Sequence, residues 1–148
     1  MTRPAPTDNN AYRFPVSVKG VVFHRGEVLL LRNERDEWEL PGGKLEPGEE
    51  PAETVVRELR EELGIETKAL TLLDSWVYHI ADGVEVLILT YGCHAENFEH
   101  LAVSHEHKAL GRFAPEDIAG LKMPEGYKRS IASWHHLQRV ELDGSGSR

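Results

Sequence analysis

The sequence predicts an α/β fold in which helices pack over a mixed β-sheet. Apolar and β-branched runs indicate strands, and apolar residues at helical spacing indicate helices. The strand-like runs are Val16–Phe23, Glu27–Leu31, Leu70–Ile80, Val84–Cys93 and, more weakly, Ala109–Phe113. The helical patterns are Pro51–Leu63, a short turn at Pro115–Ala119, and a final helix at about Gly126–Arg139. Because strands and helices are mixed and several strands are joined by hairpins, we expect a mixed sheet covered by helices.

Short segments rich in glycine and proline separate these elements. His24-Arg25-Gly26 and Ala81-Asp82-Gly83 are each typical of a hairpin turn. Leu40-Pro41-Gly42-Gly43 is expected to interrupt regular structure. Pro51 suits the first turn of a helix, and Gly64 suits the left-handed residue that follows the end of one.

The chain has 148 residues, which suits a single domain with a hydrophobic core. We expect this domain at residues 13–140. Flexible tails are expected at 1–12 and 141–148, because the two ends are rich in proline, asparagine, glycine and serine.

Charge and composition narrow the class of protein. A formal net charge of −8 argues against the basic face that binds nucleic acid, so no nucleic-acid partner is expected. No apolar run reaches the roughly 18 residues that cross a bilayer, so no membrane partner is expected either. The single cysteine, Cys93, excludes an internal disulfide and, with no apolar leader, indicates a cytoplasmic protein.

The helical pattern at Pro51–Leu63 brings acidic residues together. At about 100° per residue, Glu58 and Glu62 fall on one edge beside the apolar stripe, and Glu61 falls further toward solvent. Carboxylates so close repel each other, and a divalent cation such as Mg²⁺ or Mn²⁺ removes that repulsion. Arg57 is spaced to pair with either Glu53 or Glu61. The alternative is that these residues form only the solvated face of a surface helix.

The segment before the helix favours the metal site. GKLEPGE at 43–49 is followed, after seven residues, by RELREELGI at 57–65. This pattern resembles the Nudix box, which reads G, five residues, E, seven residues, then R-E-apolar-x-E-E-x-G-apolar. Every fixed position is met. The resemblance implies the Nudix α/β/α sandwich around a mixed sheet, and a metal-dependent hydrolase of diphosphate linkages.

The resemblance also implies roles for single residues. Glu58 and Glu62 match the metal-binding glutamates, with Glu61 either a further ligand or the general base. A main-chain carbonyl at Gly42 or Gly43 is an implied metal ligand. Glu49 is expected to hold the loop and the helix together, either alone or with a contact to the metal through water. The spacing of Arg57, independently of the resemblance, indicates that its ion pair restricts the rotamers of the acidic cluster.

Four residues outside that cluster are candidates for substrate binding, each with an alternative. Arg32 and Lys44 are expected at substrate phosphates, or else are solvated. Glu39 matches an acidic position near the metal site in relatives, or else is an exposed strand residue. Tyr127 either stacks on a base or anchors the last helix to the core. MutT-like proteins that recognise oxidised guanine have asparagine there, so the tyrosine weakens that particular assignment.

The loop Ser104–His107 supplies a second candidate for the base. Glu106 matches a glutamate that many relatives place before their last strand, as metal ligand or general base. Its alternative is an exposed loop acid. The run His105-Glu106-His107 also suggests zinc, but such a site is disfavoured, because alternate residues of a strand seldom point at one ion and no third strong ligand is spaced near the two histidines.

The function expected from the resemblance is hydrolysis of a small nucleotide-type diphosphate, most simply a nucleoside triphosphate. ADP-ribose, a nucleotide sugar and a dinucleoside polyphosphate stay open as substrates. A Nudix module that senses a nucleotide without cleaving it is the alternative from another class, and a homodimer is compatible with the family.

Overall fold

The computed structural model describes residues 11–103 and 109–146, which form two sheets and two long helices. The strands are β1 Val16–Val21, β2 Phe23–His24, β3 Glu27–Arg32, β4 Trp38–Glu39, β5 Gly42–Lys44, β6 Lys68–Ala81, β7 Val84–His94 and β8 Ala109–Phe113. The helices are α1 Pro51–Leu63 and α2 Glu125–Gly146, preceded by a 3₁₀ helix at Pro115–Gly120.

The first sheet is mixed, as the sequence predicts. Its strand order is β5-β1-β7-β6, with β1 and β7 parallel and the other neighbours antiparallel. The second sheet is antiparallel, with β2, β4 and β8 all paired to β3. The strand patterns in the sequence do not distinguish this second sheet from the first.

The two helices cover opposite sides of the strands. Val18, Leu59 and Cys93 belong to one buried cluster, which includes the inner face of α1. Ile88 and Trp134 belong to another, which includes the inner face of α2. Since side chains alternate between the faces of a strand, each strand can contribute to both clusters. The result is the predicted helix–sheet–helix arrangement.

Helix α1 begins and ends where the sequence predicts. Glu50 and Glu53 form a reciprocal capping box at its start, and Gly64 ends it at φ 70°. The buried face is wider than the predicted stripe, because Thr54 on the polar side is fully buried. The residues that precede the helix cover this side, and the Thr54 hydroxyl donates to the Glu49 carboxylate at 2.9 Å.

Two expectations about regular structure were wrong. Gly42 and Gly43 do not simply interrupt it, because they form β5, whose register pairs Gly43 with Val18. Helix α2 does not end at Arg139 but continues to Gly146, through much of the segment predicted as a C-terminal tail. Among the described residues, no helix is long and apolar enough to cross a membrane.

Gly42 permits a close approach between β5 and β1. Its φ is 148°, and an added Cβ would lie 2.1 Å from the Val18 carbonyl oxygen and 2.8 Å from the Lys19 Cα. Backbone atoms cannot move aside as a flexible side chain can, so only glycine fits.

We expect Gly42→Ala to lower the free energy of unfolding by about 2–4 kcal/mol, because it combines backbone strain with overpacking. Urea unfolding followed by circular dichroism would measure this change. Gly120→Ala is the matched control, since nothing lies within 4 Å of its added Cβ. Equal stability of the two variants would contradict the role given to Gly42.

Candidate active site

The glycine strand β5 lies directly against the acidic edge of α1. The Gly42 N–H donates to the Glu62 Oε1 at 3.0 Å, which anchors this carboxylate to the strand. An added Cβ on Gly43 would lie 2.1 Å from the Glu58 Oε2. The absence of a side chain at Gly43 therefore makes room for the Glu58 carboxylate. Two carboxylates, one helical turn apart, are thus brought to the same glycine pair.

Arg57 links the acids of the site to one another. Its Nη1 donates to Glu58 Oε1 and to Glu61 Oε1, at 3.1 Å each. Its Nε donates to Glu49 Oε2 at 2.5 Å, and its Nη2 donates to the Lys44 carbonyl oxygen at 3.2 Å. The guanidinium therefore offsets the negative charge of the cluster and restricts the positions of its carboxylates.

The predicted partners of Arg57 were only partly right. Glu61 is a partner, whereas Glu53 instead accepts from the Glu50 N–H at 2.8 Å in the capping box. Glu49 and Glu58 are partners that spacing on a helix did not indicate. Glu49 lies outside α1 and reaches Arg57 only because the preceding loop folds back onto the helix.

Glu49 ties the loop to the helix, as expected from the resemblance. Its Oε1 accepts from the Glu46 N–H at 3.1 Å and from the Thr54 hydroxyl at 2.9 Å. The hydrogen bond from Arg57 is the largest of the effects that lower the pKa of Glu49 from 4.5 to about 2. The same hydrogen bond raises the pKa of Arg57. Both groups therefore stay charged at neutral pH.

The exposure of the glutamates agrees with the helical wheel. The Glu58 side chain is 20% exposed and that of Glu61 is 58% exposed, so Glu61 lies further toward solvent. Within residues 11–103 and 109–146, no three acidic, histidine or cysteine side chains form a ready ligand set. Glu58 and Glu62 nevertheless offer hard oxygen donors beside the glycine strand. Such a partial set suits Mg²⁺, which keeps several water ligands and binds through one or two carboxylates.

A cavity of about 200 Å³ adjoins β5 on the side of α2. Its wall includes two of the predicted substrate-binding residues near the Nudix-box segment, Glu39 and Lys44, and a third, Tyr127, at the start of α2. Apolar and aromatic side chains form much of the rest, among them Val86, Ile88 and Tyr78. The cavity therefore combines an apolar floor with charged groups, and Lys44, whose carbonyl oxygen accepts from Arg57, connects its wall to the acidic cluster.

Of the remaining substrate-binding candidates, Tyr127 lines the cavity and Arg32 does not. Tyr127 is 3% exposed and makes an edge contact with Trp76 at a centroid distance of 5.4 Å. It anchors α2 to the core while also lining the cavity. Arg32 is half exposed, forms an ion pair with Asp36 and does not line this cavity. Its contact with substrate phosphates stays a prediction.

Two cationic residues of the cavity wall, Lys19 and Arg35, were missed by the sequence analysis. Lys19 could have been noticed, because it stands in the otherwise apolar and small strand-like run VSVKGVVF. A buried lysine is rare unless it is paired, so a charge in that position indicates a structural or functional role.

Glu106, His105 and His107 lie outside the described residues, so the predictions for that loop stay untested.

The comparison with known families agrees with this geometry. The family model of the NUDIX domain matches residues 13–134, and the chain therefore belongs to the Nudix family. It is a Nudix-type hydrolase of the pyrophosphohydrolase kind, in a family that acts on nucleoside diphosphate-linked substrates.

Individual relatives give the same family. The chain is 34% identical over 105 residues to a CTP pyrophosphohydrolase of Escherichia coli (strain K12), covering 68% of this chain and 76% of that one. It is 48% identical over 62 residues to a Bacillus subtilis (strain 168) protein named "Putative ADP-ribose pyrophosphatase YjhB", covering 39% of this chain but only 30% of that relative. A MutT Nudix hydrolase structure from Burkholderia pseudomallei has a TM-score of 0.67 and 28% identity, covering 81% and 97% of the two chains.

The depressed pKa of Glu49 predicts an acid-sensitive loop. A carboxyl group whose pKa falls on folding stabilises the fold above its unfolded value, 4.5, and this contribution is lost as the pH drops toward about 2. We expect the difference in unfolding free energy between the native chain and Glu49→Gln to be constant above pH 5 and to shrink below it. Urea unfolding at a series of pH values would measure it, and a difference that does not vary with pH would contradict the role of the Arg57 hydrogen bond.

Proposed function

We propose that the chain hydrolyses a diphosphate linkage in a nucleoside triphosphate, with Mg²⁺ or Mn²⁺ as the cofactor. The observation that supports this most directly is the contact between the acidic edge of α1 and β5. Glu62 is held by the Gly42 N–H, and the Glu58 carboxylate lies against Gly43. A solvated helix face would not require glycine at its contact points.

The cavity supports a nucleotide as the substrate. Lys44 and Arg35 are exposed cations on its wall, suited to phosphate oxygens. Tyr78, Tyr127 and Ile88 offer the apolar surface that a nucleobase or sugar needs. The net charge of −8 would repel such an anion, so these local cations and a bound metal would be required to attract it.

The size of the cavity favours one nucleoside over two linked moieties. Its volume of about 200 Å³ is below the roughly 300–1,000 Å³ of pockets for drug-sized ligands. ADP-ribose is the second candidate substrate, because the relative YjhB is named for it. The E. coli relative named for CTP covers more of this chain and supports a triphosphate.

In the proposed reaction, Glu58, Glu62 and the Gly43 carbonyl would hold the metal. The metal would polarise the phosphoryl group and lower the pKa of the attacking water. Arg57 acts as a positioning residue, since its hydrogen bonds restrain Glu58 and Glu61. Glu61 or Glu106 accepts the proton of the attacking water. The substrate would be cleaved to a nucleoside monophosphate, or another phosphorylated product, and the remaining phosphate group.

Removal of divalent metal should abolish hydrolysis, because repulsion between substrate phosphates and the acidic cluster would then be uncompensated. Phosphate or diphosphate release from nucleoside triphosphates would be measured in excess chelator and after readdition of Mg²⁺. Full activity in chelator would exclude the proposed mechanism.

Glu62→Gln should lower kcat by about a hundredfold or more, since the amide is a far weaker metal ligand than the carboxylate. The fold should survive, because the amide oxygen can still accept from the Gly42 N–H. Glu66→Gln is the matched control: Glu66 is an exposed glutamate just after the helix, paired with Arg60, and its loss should leave kcat unchanged. Near-normal kcat in Glu62→Gln would remove this residue from the site.

A panel of nucleoside triphosphates, ADP-ribose, nucleotide sugars and dinucleoside polyphosphates, each with Mg²⁺, would test the substrate class. We expect kcat/KM to be highest for a triphosphate. Faster cleavage of ADP-ribose would favour the second candidate, whereas binding of nucleotides without release of any product would favour a sensing module.

A further inference from the structure

A charged pair lies in the wall of the cavity beside β5. The Lys19 Nζ is 3.6 Å from the Glu39 Oε1, and the two side chains are only 9% and 13% exposed. Lys19 comes from β1 and Glu39 from β4, so the pair joins the mixed sheet to the antiparallel one. Both residues line the cavity.

Stability alone gives little reason for such a pair. Taking two charges out of water costs more than a moderate ion pair returns, and an apolar pair of similar volume would often be as stable. The separation of 3.6 Å is also longer than the 2.7–2.9 Å of a charge-assisted hydrogen bond. An ammonium group has three donors and a carboxylate has about four acceptor positions. The pair therefore presents a donor and an acceptor side by side.

We propose that the Lys19–Glu39 pair reads the base of the substrate and selects amino-substituted bases. This inference rests on the proposed nucleotide substrate. The Watson–Crick edges of cytosine and adenine carry an exocyclic amine next to a ring nitrogen that accepts. Glu39 accepts from that amine, and Lys19 donates to the neighbouring ring nitrogen. Uracil and hypoxanthine place a keto oxygen where the amine would be, and that oxygen would face the Glu39 carboxylate.

The rest of the cavity is arranged in keeping with this role. Tyr78 and Tyr127 provide apolar and aromatic surface near the pair, against which a base can pack. Arg35 and Lys44 are exposed, unlike Lys19, so they are suited to the phosphates and sugar at the entrance. Lys19 and Glu39 are the more deeply buried charged groups of the wall, which suits contact with the base rather than with the phosphates.

Two matched pairs of substrates test this inference. CTP and UTP differ at the 4-amino group, and ATP and ITP differ at the 6-amino group. We expect kcat/KM to be about tenfold or more higher for the amino member of each pair, which is the usual discrimination from one well-placed set of base contacts. A larger ratio of CTP to UTP would indicate a pyrimidine site, and a larger ratio of ATP to ITP would indicate a purine site.

Glu39→Gln should move both ratios toward one, because a side-chain amide can accept from an amine or donate to a keto oxygen. Each ratio is measured on a single preparation, so a partly unfolded variant would not change it. Lys44→Gln is the control: it should lower kcat/KM for all four substrates by the same factor and leave the ratios intact.

The outcomes separate this inference from the function on which it rests. Amino-to-keto ratios of kcat/KM near one in the native chain would overturn base reading but leave the proposed hydrolase function intact. The same holds if Glu39→Gln lowers kcat/KM equally for all four substrates. An equal loss would instead place Glu39 in the reaction itself. Failure to cleave any of the four nucleotides would overturn base reading by amino group, and the proposed function would fall with it only if no other nucleoside triphosphate were cleaved.

Discussion

The site depends on the packing of one loop against one helix. Residues 42–50 fold back over the polar side of α1, and Arg57 is the centre of the contact, with hydrogen bonds to Glu49, Glu58 and Glu61 and to the main chain at Lys44. A helix with so many neighbouring carboxylates would otherwise be destabilised by their repulsion. The arginine offsets that repulsion in part, and in doing so it restrains the three carboxylates that it contacts. The same ion pairs therefore stabilise the fold and set the arrangement of the acids.

The two glycines of β5 give this packing its precision. Gly42 allows β5 to approach β1, and Gly43 leaves the space that the Glu58 carboxylate occupies. Since β5 is a strand of the mixed sheet, its contacts position the acids of α1 relative to the sheet that forms the floor of the cavity. The mixed sheet thus positions both the acids of α1 and Lys19, whereas Glu39 comes from the antiparallel sheet beside it. Fixed positions of this kind are what holding a substrate over a metal requires.

Much of the fold could be predicted because its signals are local. The start of α1 at Pro51, its end before Gly64 and the strand at Ala109–Phe113 all follow from residues within or beside each element. The length of α2 and the strand character of Gly42–Lys44 were not predictable in this way. A glycine pair has no strand propensity of its own, and β5 exists only because β1 offers it hydrogen-bonding partners.

The sequence by itself determined the family, the α/β class and the acids of the Nudix box, because each is encoded in residue types at short and regular spacing. Tertiary structure alone decided which of those acids Arg57 holds, that Thr54 is buried, and that Lys19 meets Glu39 in the cavity wall. These contacts join residues of different elements, so their formation depends on how sheets and helices pack. The spacing of residues along the chain therefore does not determine which of these residues come into contact.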